Sequence, residues 1–519
     1  MEINILFHTA RNVVFEILDG EIYEAESDYR VFLDGGLVQE SRRTVQSLYG
    51  LQPDTEYKLA VEKPGEEAAF AEFCTDREFV TLNVRKFGAR GDGKADDTQA
   101  VQAAILSCPP ESRVLVPRGI YRITSLFLKS GLRMELAEGA VLAADPDRSK
   151  YPVLPGMVRS WDEQSEFNLG TWEGNPLDMY ASVITGIHVK DAVLYGQGTI
   201  DGNASYDNWW RDHKKKQGAW RPRQIFLNRC ENVVVEGITV TNSPSWNIHP
   251  YFSENLKFLN LRILNPKVSP NTDGLDPESC RNVDIIGIYF SLGDDCIAIK
   301  SGKIYMGAKY KTPSENINVR QCCMRDGHGS VTIGSEMAGG VRNVMVKDCL
   351  FLHTDRGLRI KTRRGRGRDA VIDHIVFEHI RMDQVMTPFV INCFYYCDPD
   401  GHTEYVRAHE ALPADERTPE IKNLAFQDIR ADNCHVAAAF MDGLPEKKIE
   451  RVLMENVSVN YASRPRADVP AMLDGVEPCT GMGVFARNIH ELILKNVRIS
   501  GQKGQDFILD QIDCLQKED

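Results

Sequence analysis

The sequence predicts an all-β chain, a right-handed parallel β-helix preceded by a small β-sandwich. Three observations predict it. The first is a recurring unit of one Asn followed by two short runs of alternating apolar residues, as in ENVVVEGITVTNS, ENLKFLNLRILNP, RNVDIIGIYFSLG, ENINVRQCCMRDG and RNVMVKDCLFLHT. The Asn of these units stands at positions 232, 255, 282, 316 and 343, in steps of 23, 27, 34 and 27 residues. A period in the twenties with two β-runs per unit describes a coiled solenoid; a leucine-rich repeat would show LxxLxLxxN, and a propeller blade would need more strands. The second observation is that fainter copies continue toward the C-terminus, at IDHIVFEHIRM, IKNLAFQDIRA, IERVLMENVSV and IHELILKNVRI. The third is a change of texture near residue 83, before which short alternating strands run without the repeat. We therefore divide the chain into a sandwich over 1–83 and a β-helix over 84–519.

In the first part, VVFEILDG, YRVFLDG, RTVQSLY and YKLAVEK read as strands. The stretch LQPDTEYKLAV resembles the tyrosine-corner region of a fibronectin type III domain, with Tyr57 as the corner residue. No cluster of His, Asp or Cys lies here, so the sequence assigns the sandwich no chemistry. FGARGDGKADDTQAVQAAI opens the second part. It reads as a Gly-rich turn and then an amphipathic helix, capped by Asp96 or Asp97, whose Ala100, Val101, Ala104 and Ile105 face a core. The loop lacks a Walker ending, and two Asp at the helix start would repel a phosphate. The helix is expected to close one end of the solenoid.

Composition narrows the function. A net charge of -13 argues against nucleic acid as a partner. No run of about 18 apolar residues appears, so no membrane-spanning helix is expected. The N-terminus lacks the basic and cleavage-site features of a secretory signal, and thirteen cysteines without CxxC pairs suit reduced thiols. The expected location is the cytoplasm. The sequence leaves the oligomeric state open, and no motif for a metal or cofactor is present.

The segment NTDGLDPESCRNVDIIGIYFSLGDDCIAIKSG carries six carboxylates in an otherwise apolar region. Counted from each unit's Asn, Asn247 falls 15 residues on, Asp273 falls 18, Asp294 and His328 fall 12, and Arg359 falls 16. Five consecutive rungs thus place a polar group at about one lateral position. That lines a groove with Asn247 and His249, then Asp273, then Asp294 and Asp295, then His328, then Arg359 and Lys361. A lone NTDG or DD is usually a solenoid turn, and a basic run such as RGLRIKTRRGRGR is usually a solvated face. The joint alignment is what marks a site. Paired carboxylates suit glycoside hydrolysis, in which one must be protonated and the other ionised. Arginines beside them suit an acidic sugar, because a guanidinium grips a carboxylate with two parallel bonds.

In order, NTDG, GDD, GHG and RIK resemble the signature set of the polygalacturonase family of glycoside hydrolases. The opening FGARGDGKADDTQAVQAAI and the stretches NSPSWNIHP and IGSEMAGGVRNV resemble its bacterial exo-acting branch, some members of which carry an N-terminal fibronectin-type domain. The resemblance implies an inverting hydrolase acting on α-1,4-linked polygalacturonate or oligogalacturonides. It implies Asp294 as general acid, Asp273 and Asp295 as the pair that activates water, and His328 as the group that tunes the acid. It also implies Arg359 and Lys361 on the substrate carboxylate, Asn271 within the NTD motif, and an active-site tyrosine at Tyr395 or Tyr396. The stretches 151–185 and 397–418 look like insertions that would wall one end of the groove and permit only chain-end attack. The alternatives are an endo-polygalacturonase, a rhamnogalacturonan or xylogalacturonan hydrolase, a calcium-dependent pectate lyase, and a pectin-binding solenoid without catalysis.

Overall fold

A computed structural model of the protein describes residues 1–162, 164 and 166–518. The strands Glu231–Glu236, Glu254–Leu259, Arg281–Ile286 and Ser314–Arg320 stack parallel and in register, and Val341–Leu352 and Val371–Asp383 continue the stack. The repeat read from the sequence is therefore one rung per unit of a right-handed parallel β-helix. The repeat Asn has a physical task. At 232, 255, 282, 316 and 343 it adopts positive φ, between 54° and 57°, and turns the corner into the strand. Its side chain then joins a ladder: Asn282 donates to Asn255 at 2.9 Å, Asn316 to Asn282 at 3.0 Å and Asn343 to Asn316 at 3.2 Å.

Inward-pointing residues of all rungs merge into one apolar core running from Val84 to Leu494. Each fully buried Val, Leu, Ile or Phe contributes ~1.5–3 kcal/mol relative to exposure. The helix Thr98–Ser107 lids the first rungs with Val101, Ala104 and Ile105 buried in that core. Its capping differs in detail from the expectation. Asp96 accepts from the N–H and hydroxyl of Thr98, while Asp97 turns away and accepts from the N–H groups of Arg90 and Gly91.

Seven antiparallel strands between Glu2 and Cys74 form the small β-sandwich, a three-stranded sheet facing a four-stranded one. The Tyr57 hydroxyl accepts from the N–H of Gln52, five residues upstream. Strand Thr81–Asn83 already pairs with Arg113–Val116, so the parallel stack starts three residues before position 84. The sandwich is docked along the solenoid. Val14 and Val45 pack against Val193, Val234, Leu259 and Ile286. Glu16 takes both ends of the Arg320 guanidinium, and Asn12, Ser47 and Tyr49 all donate to the buried Glu236.

Candidate active site

One run of short strands carries the chemistry. Ile248 bridges to Leu275, Leu275 to Ile297, Ile297 pairs with Val331, Val331 with Leu358, and Leu358 with Phe389. Two residues before these partners stand Asp273, Asp295, Gly329 and Arg356. Three before stand Asp294, His328 and Asp355. One after stand His249, Asp276, Thr332 and Arg359, and three after stand Glu278, Lys300 and Lys361. Side chains alternate along a strand, so these positions can form the rows of an outer face. Asp294 and Asp295 lie in the bend between Tyr289–Ser291 and Ile297–Ile299, which frees both neighbours to reach that face. The bend is fixed by the N–H of Asp295, which donates to the Asp294 carboxylate at 2.9 Å.

Asp273, Asp294 and Asp295 each bring one carboxylate oxygen within 4.8 Å of the others. Their environments differ. Asp295 is fully buried and receives Arg359 at 3.0 Å and Lys361 at 2.8 Å. Burial alone would raise its pKa, but Lys361 and Arg359 outweigh burial and hold it well below the usual carboxylate range. Asp273 is 4% exposed, and its carboxyl makes no hydrogen bond among the described residues. Burial, then the charge of Asp294, push its pKa up to about 8. Asp294 is the partly exposed member. A proton is thus held on Asp273 at neutral pH, beside an ionised Asp295.

His328 is exposed, and its Nδ1 meets Asp355 at 2.7 Å. That hydrogen bond raises the histidine's pKa against burial, and Asp294 adds to the rise. Both glycines of GHG are required by crowding. A Cβ at Gly327 would stand 2.6 Å from the Asp294 carbonyl, and one at Gly329 would stand 2.8 Å from the Asp295 carboxylate. Tyr395 is buried with its ring 5.6 Å from Lys361, and Tyr396 stacks between Tyr395 and His402.

The structure commits three expected groove residues to bonds within the protein, two of them buried and Asn271 partly exposed. Asn247 is buried and spends its amide on the carbonyls of Thr272 and Asp273 and on Asn265. It positions the NTD turn instead of meeting a ligand. His249 is fully buried, with Arg223 donating to Nδ1 and Nε2 facing Glu278 at 2.9 Å. Burial and then Arg223 keep its pKa well below the ordinary value, so it is neutral. Asn271 accepts from Arg221 at 2.7 Å and anchors the turn. The basic run after Arg356 is also no free cationic wall. Arg356 donates to the carbonyls of Val469 and Pro470, Arg363 binds Asp398 and Asp400, Arg364 binds Glu446, Arg366 binds Asp398 and Arg368 binds Glu416.

Several functional neighbours escaped the sequence reading. Asp355 is one. Lys300 is another, nearly fully buried, 3.0 Å from Glu336, 3.9 Å from Asp276 and 4.5 Å from the Trp246 ring centre. Register would have found it, because Lys300 follows Ile297 as Lys361 follows Leu358. Met472 arrives from the distant 462–481 loop, with its sulfur 2.9 Å from Arg359. No local pattern signals that. Trp172 from the 151–185 stretch stacks on Trp220 at 4.7 Å and 8°, with Arg221 and Arg223 packed against it.

Chemically, the site holds one stored proton, one strongly ionised carboxylate and a cationic flank. The trio's converging oxygens are also part of a calcium ligand set, but Arg359, Lys361 and Lys300 already supply compensating charge there.

Comparison with known proteins fits this arrangement. The model of glycosyl hydrolases family 28 matches residues 151–473, and that of rhamnogalacturonase A/epimerase, pectate lyase-like, matches 81–135. A probable polygalacturonase of Vitis vinifera is 31% identical over 409 residues, covering 76% of this chain and 78% of that protein. An endo-polygalacturonase of Pectobacterium carotovorum subsp. carotovorum is 28% identical over 388 residues, covering 71% and 86%. A family 28 exopolygalacturonase of Yersinia enterocolitica shares the fold over 99% of this chain and 98% of its own, at a TM-score of 0.74 and 19% identity. Matched across the very rungs that hold the carboxylate trio and its cations, the chain belongs to family 28 of the glycosyl hydrolases and is a glycosidase.

Proposed function

We propose that the protein hydrolyses α-1,4-galacturonosyl linkages of polygalacturonate or oligogalacturonides, inverting the anomeric centre and working from a chain end. The observation that carries hydrolysis is the trio itself, with a proton held at Asp273 by burial and Asp294, and Asp295 kept ionised by Arg359 and Lys361. Asp294 is the partly exposed carboxyl, so it is the one a leaving oxygen can touch. The proton held on Asp273 moves to Asp294 and from there to the glycosidic oxygen. Asp273, then ionised, accepts a proton from the attacking water, with the buried, ionised Asp295 beside it. His328, whose pKa Asp355 raises, favours the negative charge left on Asp294 as it gives up the proton. Arg359 and Lys361 are the nearest cations for the sugar carboxylate.

The expected separation for inversion is about 6.5–9.5 Å, and the nearest trio oxygens fall short of it, all within 4.8 Å. Burial still supports inversion. A retaining nucleophile must touch the anomeric carbon, and Asp273 at 4% exposed and Asp295 at 0% cannot be pressed against a ring carbon without unpacking the floor. A water needs only an edge, and Asp273 is the one of the two that offers it.

The relatives' names divide between exo and endo action, so the chain-end reading rests on geometry. Trp172 of the 151–185 stretch stacks face to face on Trp220, whose backbone pairs with residues 178–180 of that same stretch, beside Arg221, which itself holds Asn271 of the NTD turn. On the chain-end reading this tryptophan pair walls the groove beside the NTD turn. We infer a cytoplasmic place of action from thirteen cysteines, all of them free thiols.

The deciding experiment follows products over time on polygalacturonate of defined length. Release of one or two galacturonates from the start, with slow loss of viscosity, is expected. An early ladder of long oligomers would refute chain-end attack. Absorbing unsaturated products that depend on calcium would refute hydrolysis in favour of a lyase. NMR of the first-formed anomer decides stereochemistry, a β-product meaning inversion.

A further inference from the structure

The tip of the 151–185 stretch is a tight turn. Trp172 and Asn175 exchange both backbone hydrogen bonds, at 3.0 and 3.1 Å. The central residues Glu173 and Gly174 have φ of 46° and 73°, the signature of a type I′ turn. The turn is locked in place on three sides. Trp172 stacks on Trp220, the Gly174 carbonyl accepts from the N–H of Lys303 at 3.0 Å, and a Cβ at Gly174 would stand 2.8 Å from both the Lys303 nitrogen and the Glu336 side chain. A non-Gly residue holds positive φ at a cost of about 1–2 kcal/mol. The fold accepts that cost to place one particular side chain here.

That side chain is the carboxylate of Glu173. It is partly buried and has no hydrogen-bond or ion-pair partner among the described residues. Yet Glu336, Lys303, Lys300 and Asp398 act on it, and it acts in turn on Arg221 and Arg223. The turn sits directly against Glu336 and Lys303, and among the described residues the Glu173 carboxylate bonds to none of the surrounding cations Lys300, Lys303, Arg221 and Arg223 nor to the carboxylates Glu336 and Asp398, which leaves its oxygens to a ligand. The carboxylate stands beside the tryptophan pair that, on the chain-end reading, walls the groove, where a chain terminus would lie.

We propose that Glu173 is a specificity residue that accepts a hydrogen bond from the extra hydroxyl carried only by a terminal galacturonate. An internal unit offers an ether oxygen at the same place, which cannot donate to a carboxylate. The inference rests on the chain-end reading above. Both termini carry such a hydroxyl, the 4-hydroxyl at the non-reducing end and the anomeric hydroxyl at the reducing end. The chemistry of recognition is the same for either.

The test compares kcat/KM on trigalacturonate, on its 4,5-unsaturated counterpart, which lacks the terminal 4-hydroxyl, and on its methyl glycoside, which lacks the anomeric hydroxyl. Wild type and Glu173→Asn are measured side by side. Asn-Gly is the favoured type I′ pair, so this variant keeps the turn while withdrawing the charge and its reach. A charge-assisted hydrogen bond to the terminal hydroxyl predicts that wild type cleaves one of the two analogues about 10–100-fold less well than the parent. Glu173→Asn should lose a similar factor on the parent and treat parent and analogue alike. Which analogue is penalised names the end. Equal rates on all three by wild type, or a penalty that survives in Glu173→Asn, would overturn the proposal. Product length from wild-type digests of polygalacturonate separates the two readings. Long early products sink the chain-end reading, whereas early monomer with an unaffected Glu173→Asn sinks only the role of Glu173.

Discussion

Replacing Asp273 by Asn should abolish activity and, at neutral pH, make the protein more stable. The argument starts from the carboxyl's surroundings. Asp273 is almost wholly buried, makes no side-chain hydrogen bond among the described residues, and has its pKa moved from 3.8 to about 8 by burial and then by Asp294. The folded state therefore binds a proton that the unfolded chain releases above about pH 4. Between the two pKa values the unfolded state carries fewer protons, so wild-type stability falls as pH rises, by about 1.36 kcal/mol per unit, and levels off above pH 8. At pH 7.0 the accumulated cost is about 4 kcal/mol at most, and at pH 4.0 it is close to zero. An amide of the same shape carries no such cost and forfeits no hydrogen bond. Carboxylates that do not interact with Asp273 titrate alike in both proteins and cancel in the difference. Denaturant or thermal unfolding of wild type and Asp273→Asn at pH 4.0 and pH 7.0 measures it. The gain should grow with pH toward a few kcal/mol. A variant less stable than wild type at pH 7.0, or a gain identical at both pH values, would refute the buried-proton account.

Asp294→Asn should fold and bind substrate while losing turnover by ~10²–10⁴-fold, the usual worth of a positioned proton donor; near-normal activity in folded protein would remove its role. Asp355→Asn should lower the pKa of His328, since their hydrogen bond is what raises it, and so move the alkaline limb of the kcat/KM profile to lower pH. Asp355→Glu should restore the limb in part, whereas an unchanged profile would leave Asp355 purely structural. Arg359→Lys should cost about 10–100-fold in kcat/KM on acidic oligomers, because an ammonium cannot hold Asp295 and a sugar carboxylate together as a planar fork does. Salt should weaken binding only mildly, because most of the basic run is already paired within the protein, although the Debye length falls from ~10 Å at 0.1 M to ~3 Å at 1 M. A steep rise of KM with salt would mean those pairs open for substrate.

The difference between what the sequence revealed and what it hid follows from the range of each interaction. The repeat Asn is legible because its task is local: positive φ at a corner and an amide bonded to the next rung's copy, so the same residue must recur at each turn. The trio is legible because parallel stacking converts a phase along the chain into adjacency across rungs. Phase gives position but not occupation. Asn247 and His249 share the groove's phase, yet their polar atoms are consumed by Asp273, Asn265, Arg223 and Glu278. Whether a polar atom is free depends on residues 18 to 29 positions away, and no window of sequence shows that. The RIK cluster illustrates the same limit in charge: Asp398 and Asp400 lie some thirty residues past the arginines they neutralise. The loops are least legible of all. Trp172, Glu173 and Met472 carry no periodic signal, because a loop residue's position is set by what it docks on and not by its own spacing. Their docking partners lie on rungs that the repeat does locate. A site on a solenoid is therefore read in two steps, floor from periodicity and walls from structure, and the walls are what would separate cutting a polymer anywhere from trimming its end.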